Sequence, residues 1–150
     1  MSYAAKLKEM GYSLQTIDLS GGKIMHAKRT GNLIYTSGQV SRWGDQHIKG
    51  KVGRDVTVEQ GYEAAKFCAL NCLQAVHSLA GGLDNVVQVV KVFGMVNVAP
   101  DFDNTPAVIH GCSDLLLGVF GEAGRHARSA IGLTVPDNWA CEIEIIFEVK

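Results

Sequence analysis

The sequence predicts an α+β fold in which two helices pack on one face of a mixed β-sheet. Two amphipathic helical segments alternate along the chain with segments that have the period and composition of strands. Their order is a hairpin, a helix, a strand, a second helix and a final hairpin. With both helices on one face, the other face has no covering layer in a single chain. That face must therefore contact water or another subunit.

The N-terminal segment is predicted to be a peripheral addition to this core. Residues 2–10 place Ala4, Leu7 and Met10 on one side of a short helix, and Gly11 ends it. Residues 1–22 therefore form a helical extension and lead-in. The remainder is a single domain, because 150 residues supply one ordinary hydrophobic core and not two.

The next segment predicts a β-hairpin followed by a loop. Residues 24–27 and 33–36 are strand-like, and residues 28–32 between them include Gly and Asn, which tolerate the positive φ of a turn. Residues 43–53 are polar and contain glycine. We expect a loop there that either covers a site or crosses the surface.

Both predicted helices have clear start and stop signals. Asp55 or Thr57 caps the first, whose apolar positions continue with helical spacing to about Leu79, before two glycines. Pro106 opens the second helix, which extends to about Phe120 and stops at a glycine. These are the helices expected on one face of the sheet.

Three further strands complete the predicted sheet. Residues 86–98 are almost continuously apolar, which predicts a central strand covered on both faces. Residues 127–135 and 141–149 are strand-like and are joined by a turn at residues 136–138, which predicts a hairpin. In the last strand one face is apolar and the other carries glutamates except at Ile146. A partly apolar open face indicates an oligomer.

Composition disfavours several classes of partner. The chain has 14 Lys and Arg against 15 Asp and Glu, so no basic surface is expected for nucleic acid or an anionic membrane. No apolar run approaches the roughly 20 residues of a membrane span, and a signal-peptide pattern is absent, so we expect a cytoplasmic protein. Cys68 and Cys72 lie on an apolar helical face and are expected to be reduced core residues rather than metal ligands with His77.

Arg128 and Glu142 are the first residues that suggest chemistry. A guanidinium offers a planar fork of donors to a carboxylate, and a glutamate on the adjacent antiparallel strand can orient water beside a bound ligand. The alternative is a cross-strand ion pair without a role in binding. His110 and His126 are candidate substrate-binding residues because imidazole titrates near neutral pH, although each can equally be an ordinary half-buried histidine.

Short motifs in two regions of the chain resemble a known family. The runs Ile34-Tyr35-Thr36-Ser37-Gly38-Gln39 and Ala127-Arg128-Ser129, then Pro136 and Glu142-Ile143-Glu144, resemble the signatures of the Rid/YjgF family. This family of reactive intermediate deaminases is also described as endoribonuclease L-PSP-like. The order of these motifs matches that of the family, and their spacing nearly matches, over about residues 23 to 150. The sequence is most similar to a divergent, slightly longer branch of this family.

The resemblance implies a chorismate-mutase-like fold of the bacterial trimeric type, assembled as a homotrimer with ligand clefts between subunits. It implies hydrolysis of reactive 2-imino acids to 2-keto acids and ammonia, with no metal or organic cofactor. Alternatives are a non-catalytic binding or sensor protein for small keto or amino acid carboxylates and, less favoured, an endoribonuclease or translation inhibitor. The chain shows neither the basic stripe nor the histidine pair expected for RNA cleavage.

Carried over by position, Arg128 would bind the substrate carboxylate and Glu142 would position or activate water. Ser37 and the backbone of Gly38 would line the cleft from the neighbouring subunit, and the N–H of Ala130 would contact the ligand. The chain departs from the well-studied deaminases at two places. The deaminases have a thiol at the position of Ala130. They also have a tyrosine hydroxyl at the position of residues 23–25, where this chain has Lys-Ile-Met.

Overall fold

The computed structural model describes residues 1–150 and contains three α-helices and ten strands. In chain order these are α1 (Tyr3–Glu9), β1 (Ser20–Gly21), β2 (Ile24–Met25), β3 (Ala27–Thr30), β4 (Leu33–Thr36), β5 (Gln39–Val40), β6 (Arg42–Trp43), β7 (Gln46–His47), α2 (Val58–Ala80), β8 (Val86–Asn97), α3 (Thr105–Phe120), β9 (Ala127–Leu133) and β10 (Cys141–Val149). No helix has both the length and the apolar character needed to cross a membrane.

Six strands form the main sheet. Their order is β3-β4-β10-β8-β9, and β5 pairs with the beginning of β10. Every pairing is antiparallel except that between β8 and β9, which is parallel. The two remaining hairpins, β1–β2 and β6–β7, lie outside this sheet. The mixed sheet confirms the predicted α+β class.

The two long helices begin and end close to their predicted bounds. At the start of α2 the Thr57 side chain accepts from the Gln60 N–H, and the Gln60 side chain returns a hydrogen bond to the Thr57 N–H, which closes a capping box. Gly81 ends α2 in the left-handed conformation, with φ of 79°. The shorter α1 contacts α3 through the Tyr3 and Phe120 rings, whose centroids are 4.8 Å apart.

α2 and α3 pack closely against each other and against one face of the sheet. A Cβ added at Gly111 would lie 2.8 Å from the carbonyl carbon of Tyr62, so glycine permits direct contact between the two helix backbones. Likewise, a Cβ at Gly94 of β8 would overlap the side chain of Ile109 on α3. The cysteines at 68, 72, 112 and 141 are all free and fully buried in this core, as predicted for the pair on α2.

The opposite face of the sheet is open. Along β10 the odd-numbered residues are buried under the helices, while the even-numbered ones are half-buried or exposed. Tyr35 and Ile131 are each 42% exposed on this open face, beside the half-buried Phe93 and Met95 of β8. The prediction that β8 is central is confirmed. The prediction that both faces of β8 are covered was wrong for a single chain, because all the helices lie on one side of the sheet.

The first hairpin differs in detail from its prediction. β3 runs through Lys28 to Thr30, so the turn is only Gly31 and Asn32, with φ of 55° at the glycine. The residues of β2 pair with β1 and do not extend β3. The β6–β7 hairpin begins at Arg42, one residue before the predicted loop at residues 43–53. The rest of that segment crosses the end of the sheet, where Val52 bridges to Val98.

The predicted final hairpin was wrong. β9 pairs with β8, and β10 pairs with the other edge of β8, so the last two strands are not neighbours. α3 supplies the crossover connection that a parallel β8–β9 pair requires. The turn at residues 136–138 then carries the chain past the end of β8 instead of folding β10 onto β9.

Candidate functional site

The predicted site residues form two groups on opposite faces of the sheet. Arg128 pairs in register with Val92 of β8, which is fully buried beneath the helices. Glu142 pairs with Met95 of the same strand, which is half-buried on the open face. Paired residues point to the same face and successive residues alternate. The Arg128 and Glu142 side chains therefore leave the sheet in opposite directions.

Ser37, Gly38 and Glu142 form the first group, here termed the glutamate group. The short strand β5 pairs with β10 so that Val40 lies opposite Glu142. A Cβ added at Gly38 would lie 2.8 Å from Cδ of Glu142, so the carboxyl group rests directly on the glycine backbone. The Ser37 hydroxyl donates to the carbonyl of Met25. The Glu142 carboxyl thus lies at the junction of β4, β5 and β10.

The surroundings of Glu142 favour its protonated form. Partial burial raises the pKa of this carboxyl, and repulsion from Glu144 on the same strand raises it further. Glu142 takes part in none of the chain's ion pairs. A carboxyl group whose pKa moves toward neutrality is suited to accepting and returning a proton.

Arg128, His110, Ser113 and His126 form the second group, here termed the arginine group. Nη1 of Arg128 donates to Nδ1 of His110 at 3.0 Å and to Oγ of Ser113 at 3.2 Å. His110 and Ser113 are nearly one turn apart on α3, which places both beside the start of β9. Nε and Nη2 of Arg128 have no partner within the chain. The guanidinium thus keeps one free donor edge.

His126 extends this network toward the end of α3. Its Nδ1 lies 2.6 Å from the carbonyl oxygen of Gly124, and its Nε2 lies 2.9 Å from Oγ of Ser113. Because a carbonyl oxygen only accepts, Nδ1 carries the proton. Burial lowers the pKa of His126, and the charge of Arg128 lowers it further, against the opposing hydrogen bond to Gly124. A neutral ring then accepts the Ser113 proton at Nε2.

The arginine group lines a concavity of about 370 Å³. Asp114, Leu117 and Arg125 complete its wall. Asp114 accepts the Tyr62 hydroxyl at 2.7 Å, and Arg125 is 3.2 Å from the carboxylate of Glu122. Other surface concavities are of similar size, so chemistry distinguishes this one. Its free guanidinium edge can bind a carboxylate.

The backbone of β9 adds a further donor at the free edge of the sheet. The carbonyl of Ala130 accepts from Oγ1 of Thr105 at 2.8 Å, whereas the carbonyl of Leu133 accepts from the N–H of Val98 on the β8 side. Both backbone groups of a strand residue point to the same edge, and neighbouring residues alternate. The N–H of Ala130 therefore points away from β8, toward the same edge as the backbone of Arg128.

The structure thus joins some predicted residues and separates others. It brings His110, His126 and Arg128 into one cluster and places Ala130 just beyond it. The predicted adjacency of Arg128 and Glu142 was wrong, and they do not form the alternative cross-strand ion pair, because β8 lies between their strands. Sequence reasoning missed Ser113, whose spacing of three from His110 on an amphipathic helix was the available signal.

The whole chain matches known proteins. Residues 5–149 match the family profile described as "YjgF/chorismate mutase-like, putative endoribonuclease". The TCP17 protein of Trypanosoma cruzi is 35% identical over 151 residues, which cover 98% of this chain and 94% of that protein.

Solved structures show the same fold. A protein of unknown function from Agrobacterium tumefaciens is 37% identical with a TM-score of 0.90, over 99% of this chain and 92% of its own. A Shewanella oneidensis protein described as "a putative endoribonuclease" is 29% identical with a TM-score of 0.92, over 99% of this chain and 100% of its own. The YjgF gene product of E. coli, at 21% identity and a TM-score of 0.62 over 100% and 99%, shares the fold alone.

Proposed function

The chain belongs to the YjgF/chorismate-mutase-like family, and we propose that it is a hydrolase that deaminates imines and enamines at sites formed between subunits. Its substrates are reactive 2-imino acids, and its products are 2-keto acids and ammonia. The observation that carries the proposal is the separation of the arginine group from the glutamate group on opposite faces of one sheet.

A second copy of the chain supplies what each group lacks. The arginine group offers a free donor edge for a carboxylate, and the glutamate group offers a carboxyl for proton transfer. If the glutamate group of one copy faces the arginine group of the next, every copy uses two different surfaces. Such a heterologous contact closes into a ring when the rotation between neighbouring copies divides a full turn evenly. We propose a homotrimer with three such clefts, in keeping with the family resemblance.

The open face of the sheet supports this assembly. Tyr35 and Ile131 each keep 42% of their surface exposed there, and Phe93 and Ile146 are only half-buried. An exposed, partly apolar sheet face of this kind on a single chain is typical of a contact between subunits. In the ring, these residues lie against the neighbouring copies.

The proposed chemistry needs one carboxylate contact and one proton carrier. The free edge of Arg128 binds the carboxylate of the 2-imino acid. Ionised Glu142 of the neighbouring copy takes a proton from water as the water oxygen bonds to the imine carbon and the C=N electron pair moves to nitrogen. Glu142 returns that proton to nitrogen, which gives a carbinolamine. Glu142 then takes the proton of the new hydroxyl group and passes it to the amino nitrogen as the C–N bond breaks, so that ammonia leaves and a keto group remains.

Enamines enter the same path. A 2-enamino acid first takes a proton at its terminal carbon and loses one from nitrogen to water, which gives the 2-imino acid that is then hydrolysed as above. Ser37 and the backbone of Gly38 line the cleft beside Glu142, and the N–H of Ala130 faces the ligand from the arginine side. These roles follow the resemblance by position and agree with the half of the cleft on which each residue lies.

A second candidate function is a carboxylate-binding or sensor protein that uses the same arginine group. The observation that favours it is Ile24, 64% exposed on β2 beside Met25, whose carbonyl holds Ser37. The resemblance places a tyrosine hydroxyl here in the well-studied deaminases, and this chain lacks it. Endoribonuclease activity, named for the family and for the S. oneidensis relative, is less favoured at a net charge of -1.

The deciding experiment generates 2-aminoacrylate in situ with a dehydratase and follows keto-acid formation. Wild type should accelerate hydrolysis, and Arg128→Ala and Glu142→Gln should each lose about 100-fold or more of kcat/KM. Arg125→Ala is the matched control, because Arg125 lines the same concavity but is paired with Glu122. No acceleration with several imino acids by a verified oligomer would refute deamination. Retained, Arg128-dependent binding of pyruvate would then favour the binding protein.

A further inference from the structure

We propose that Ser113 and His126 are positioning residues that hold the Arg128 guanidinium so that its Nε–Nη2 edge faces the concavity. The inference rests on the proposed function, since it concerns the same carboxylate-binding arginine. It gives two members of the arginine group a role that they exert through Arg128. They act through a short chain of hydrogen bonds, from the Gly124 carbonyl through His126 and Ser113 to Arg128, in which each donor and acceptor is fixed.

The direction of that chain is fixed at its far end. The Gly124 carbonyl oxygen accepts from Nδ1 of His126, so Nε2 of a neutral His126 is an acceptor. The Ser113 hydroxyl therefore donates its only proton to His126 and keeps its lone pairs for Arg128. Reversing any step would place two donors or two acceptors against each other.

The fixed end is attached to the helix that carries Ser113. A Cβ at Gly124 would lie 2.9 Å from the carbonyl carbon of Leu116, so Gly124 packs directly on the backbone of α3. Ser113 is 9% exposed, and His126 is half-buried. The carbonyl at one end of the chain and the hydroxyl at the other are thus both fixed to α3, with the half-buried imidazole between them.

His110 supplies the second point of attachment. Its Nδ1 accepts from the same Nη1 of Arg128 that donates to Ser113, so both protons of Nη1 are engaged. A planar guanidinium held through both protons of one terminal nitrogen cannot rotate freely. The edge left over, Nε with Nη2, is one of the two-donor edges that bind a carboxylate through parallel hydrogen bonds.

Neighbouring charges do not compete for Arg128. Asp114 on α3 accepts the Tyr62 hydroxyl, and Glu122 pairs with Arg125 in the segment after α3. Without the Ser113–His126 chain, Nη1 of Arg128 would keep only its hydrogen bond to His110, and the guanidinium could rotate about that single contact. Holding it in the binding geometry beforehand removes part of the entropy lost on binding.

The first test is spectroscopic and needs no ligand. Imidazole nitrogen NMR of the folded wild-type protein should show His126 as the Nδ1–H tautomer and His110 as the Nε2–H tautomer, two opposite forms in one cluster. In Ser113→Ala the Nε2 resonance of His126 should move to the position of an acceptor without a donor. Nε2–H at His126 in the wild type would overturn the inference, whatever the protein catalyses.

The second test uses pyruvate as the probe and compares Ser113→Ala with Ser113→Thr. Ser113→Ala should weaken pyruvate binding about 10-fold. It should raise the KM for the 2-imino acid by a similar factor with a smaller change in kcat, as expected for a lost hydrogen bond that orients a binding group. Ser113→Thr, which keeps the hydroxyl, should restore most of the affinity. Thermal unfolding of both variants separates a loss of fold from a loss of position.

The outcomes separate this inference from the function on which it rests. If wild type binds pyruvate in an Arg128-dependent way but Ser113→Ala, still folded, binds it equally well, the positioning role is wrong and the function stands. If wild type neither binds nor turns over any tested ligand, the proposed function fails. The tautomers at His110 and His126 then still decide whether the hydrogen-bond chain exists.

Discussion

The side chains of Arg128 and Glu142 leave opposite faces of one sheet, with β8 between the strands that carry them. Neighbouring strands lie about 4.8 Å apart, so the two strands are separated by about twice that distance before the opposite directions of the side chains are considered. One small ligand cannot contact both residues of the same chain. Catalysis that needs both residues therefore depends on assembly.

Mixing two inactive variants should restore activity. An oligomer formed from Arg128→Ala and Glu142→Gln chains contains some interfaces where the intact arginine of one copy faces the intact glutamate of another. With random mixing, about one quarter of the interfaces are complete. Unfolding and refolding the variants together, then measuring 2-imino acid hydrolysis, should give about that fraction of wild-type activity.

Refolding each variant alone is the control for the mixing experiment, and neither should regain activity. Light scattering should show the same oligomer in all samples. A mixture that stays as inactive as its components, with exchange of chains demonstrated by mass spectrometry of tagged copies, would show that Arg128 and Glu142 do not act together across one subunit interface. That result would contradict the inter-subunit cleft.

Gly38→Ala should damage catalysis with little effect on stability. The new methyl group would displace the Glu142 carboxyl, which is the far end of a flexible side chain and can move without disturbing the core. We expect kcat to fall about 10-fold or more, because a general base works only within hydrogen-bond reach of its proton. Kinetics and thermal unfolding measured together test this expectation.

A double-variant cycle tests whether Gly38 acts through Glu142. Adding Glu142→Gln to Gly38→Ala should cost much less activity than it costs the wild type, since the displaced carboxyl already contributes little. Fully additive losses would show that Gly38 affects the reaction by another route, for example by the path of the β4–β5 backbone.

Gly111→Ala should destabilise the fold. Its methyl group would overlap the carbonyl of Tyr62, and only a shift of one helix against the other can relieve that overlap. Overpacking of this kind costs about 1–3 kcal/mol, or more where backbone must move. Urea unfolding measures the loss.

Gly118→Ala, on the same helix, is the matched control. The nearest atom to its new methyl group is Cε of Met10 at 3.1 Å, the end of a flexible side chain. Replacing glycine with alanine inside a helix favours the helix by about 0.5–1 kcal/mol. Gly118→Ala should therefore be neutral or stabilising, and equal effects at the two positions would rule out close helix packing as the cause.

Glu142→Gln should stabilise the protein at neutral pH. The folded chain raises the pKa of this carboxyl, so between its ordinary range and that raised value the folded state binds more protons than the unfolded state. The contribution of Glu142 to stability therefore falls as pH rises through this window. The glutamine side chain does not titrate, so the variant does not lose this stability. It should be more stable than wild type above this pH range, and the two proteins should be equally stable below the ordinary pKa range of a glutamate.

Urea unfolding from acidic to neutral pH measures the two curves, and Glu148→Gln on the same strand is the control. Glu148 has a hydrogen-bond partner in Gln88, so its loss should not reproduce the pattern. A Glu142→Gln variant that is less stable than wild type at neutral pH would show that the carboxylate has a stabilising partner in the assembled protein.

Local signals in the sequence account for the parts of the fold that were predicted. Thr57 with Gln60 and the glycine at 81 mark the ends of α2, and the alternation of β10 separates its buried from its open face. The partner of β9 was not predictable in the same way. The turn at Asp137 and Asn138, both with positive φ, is as compatible with a chain crossing the end of a strand as with a hairpin.

The sequence predicts candidate site residues and does not predict their relative placement. Residue chemistry and then the resemblance selected Arg128 and Glu142, but the strand order that separates them depends on long-range pairing of β8 with both neighbours. Ser113 carries no motif of its own. Its role depends on the fold of residues 121–126, which returns His126 to the helix that contains Ser113.

The placement of β10 also affects how the protein is made. β10 is the only strand that pairs with both β4 and β8, so the N-terminal hairpin and the β8–β9 unit belong to one sheet only through it. During synthesis on the ribosome, these two parts cannot join into one sheet until residues 141–149 have emerged. Until then their strand edges remain unpaired, which makes the nascent chain most vulnerable to aggregation just before its last strand arrives.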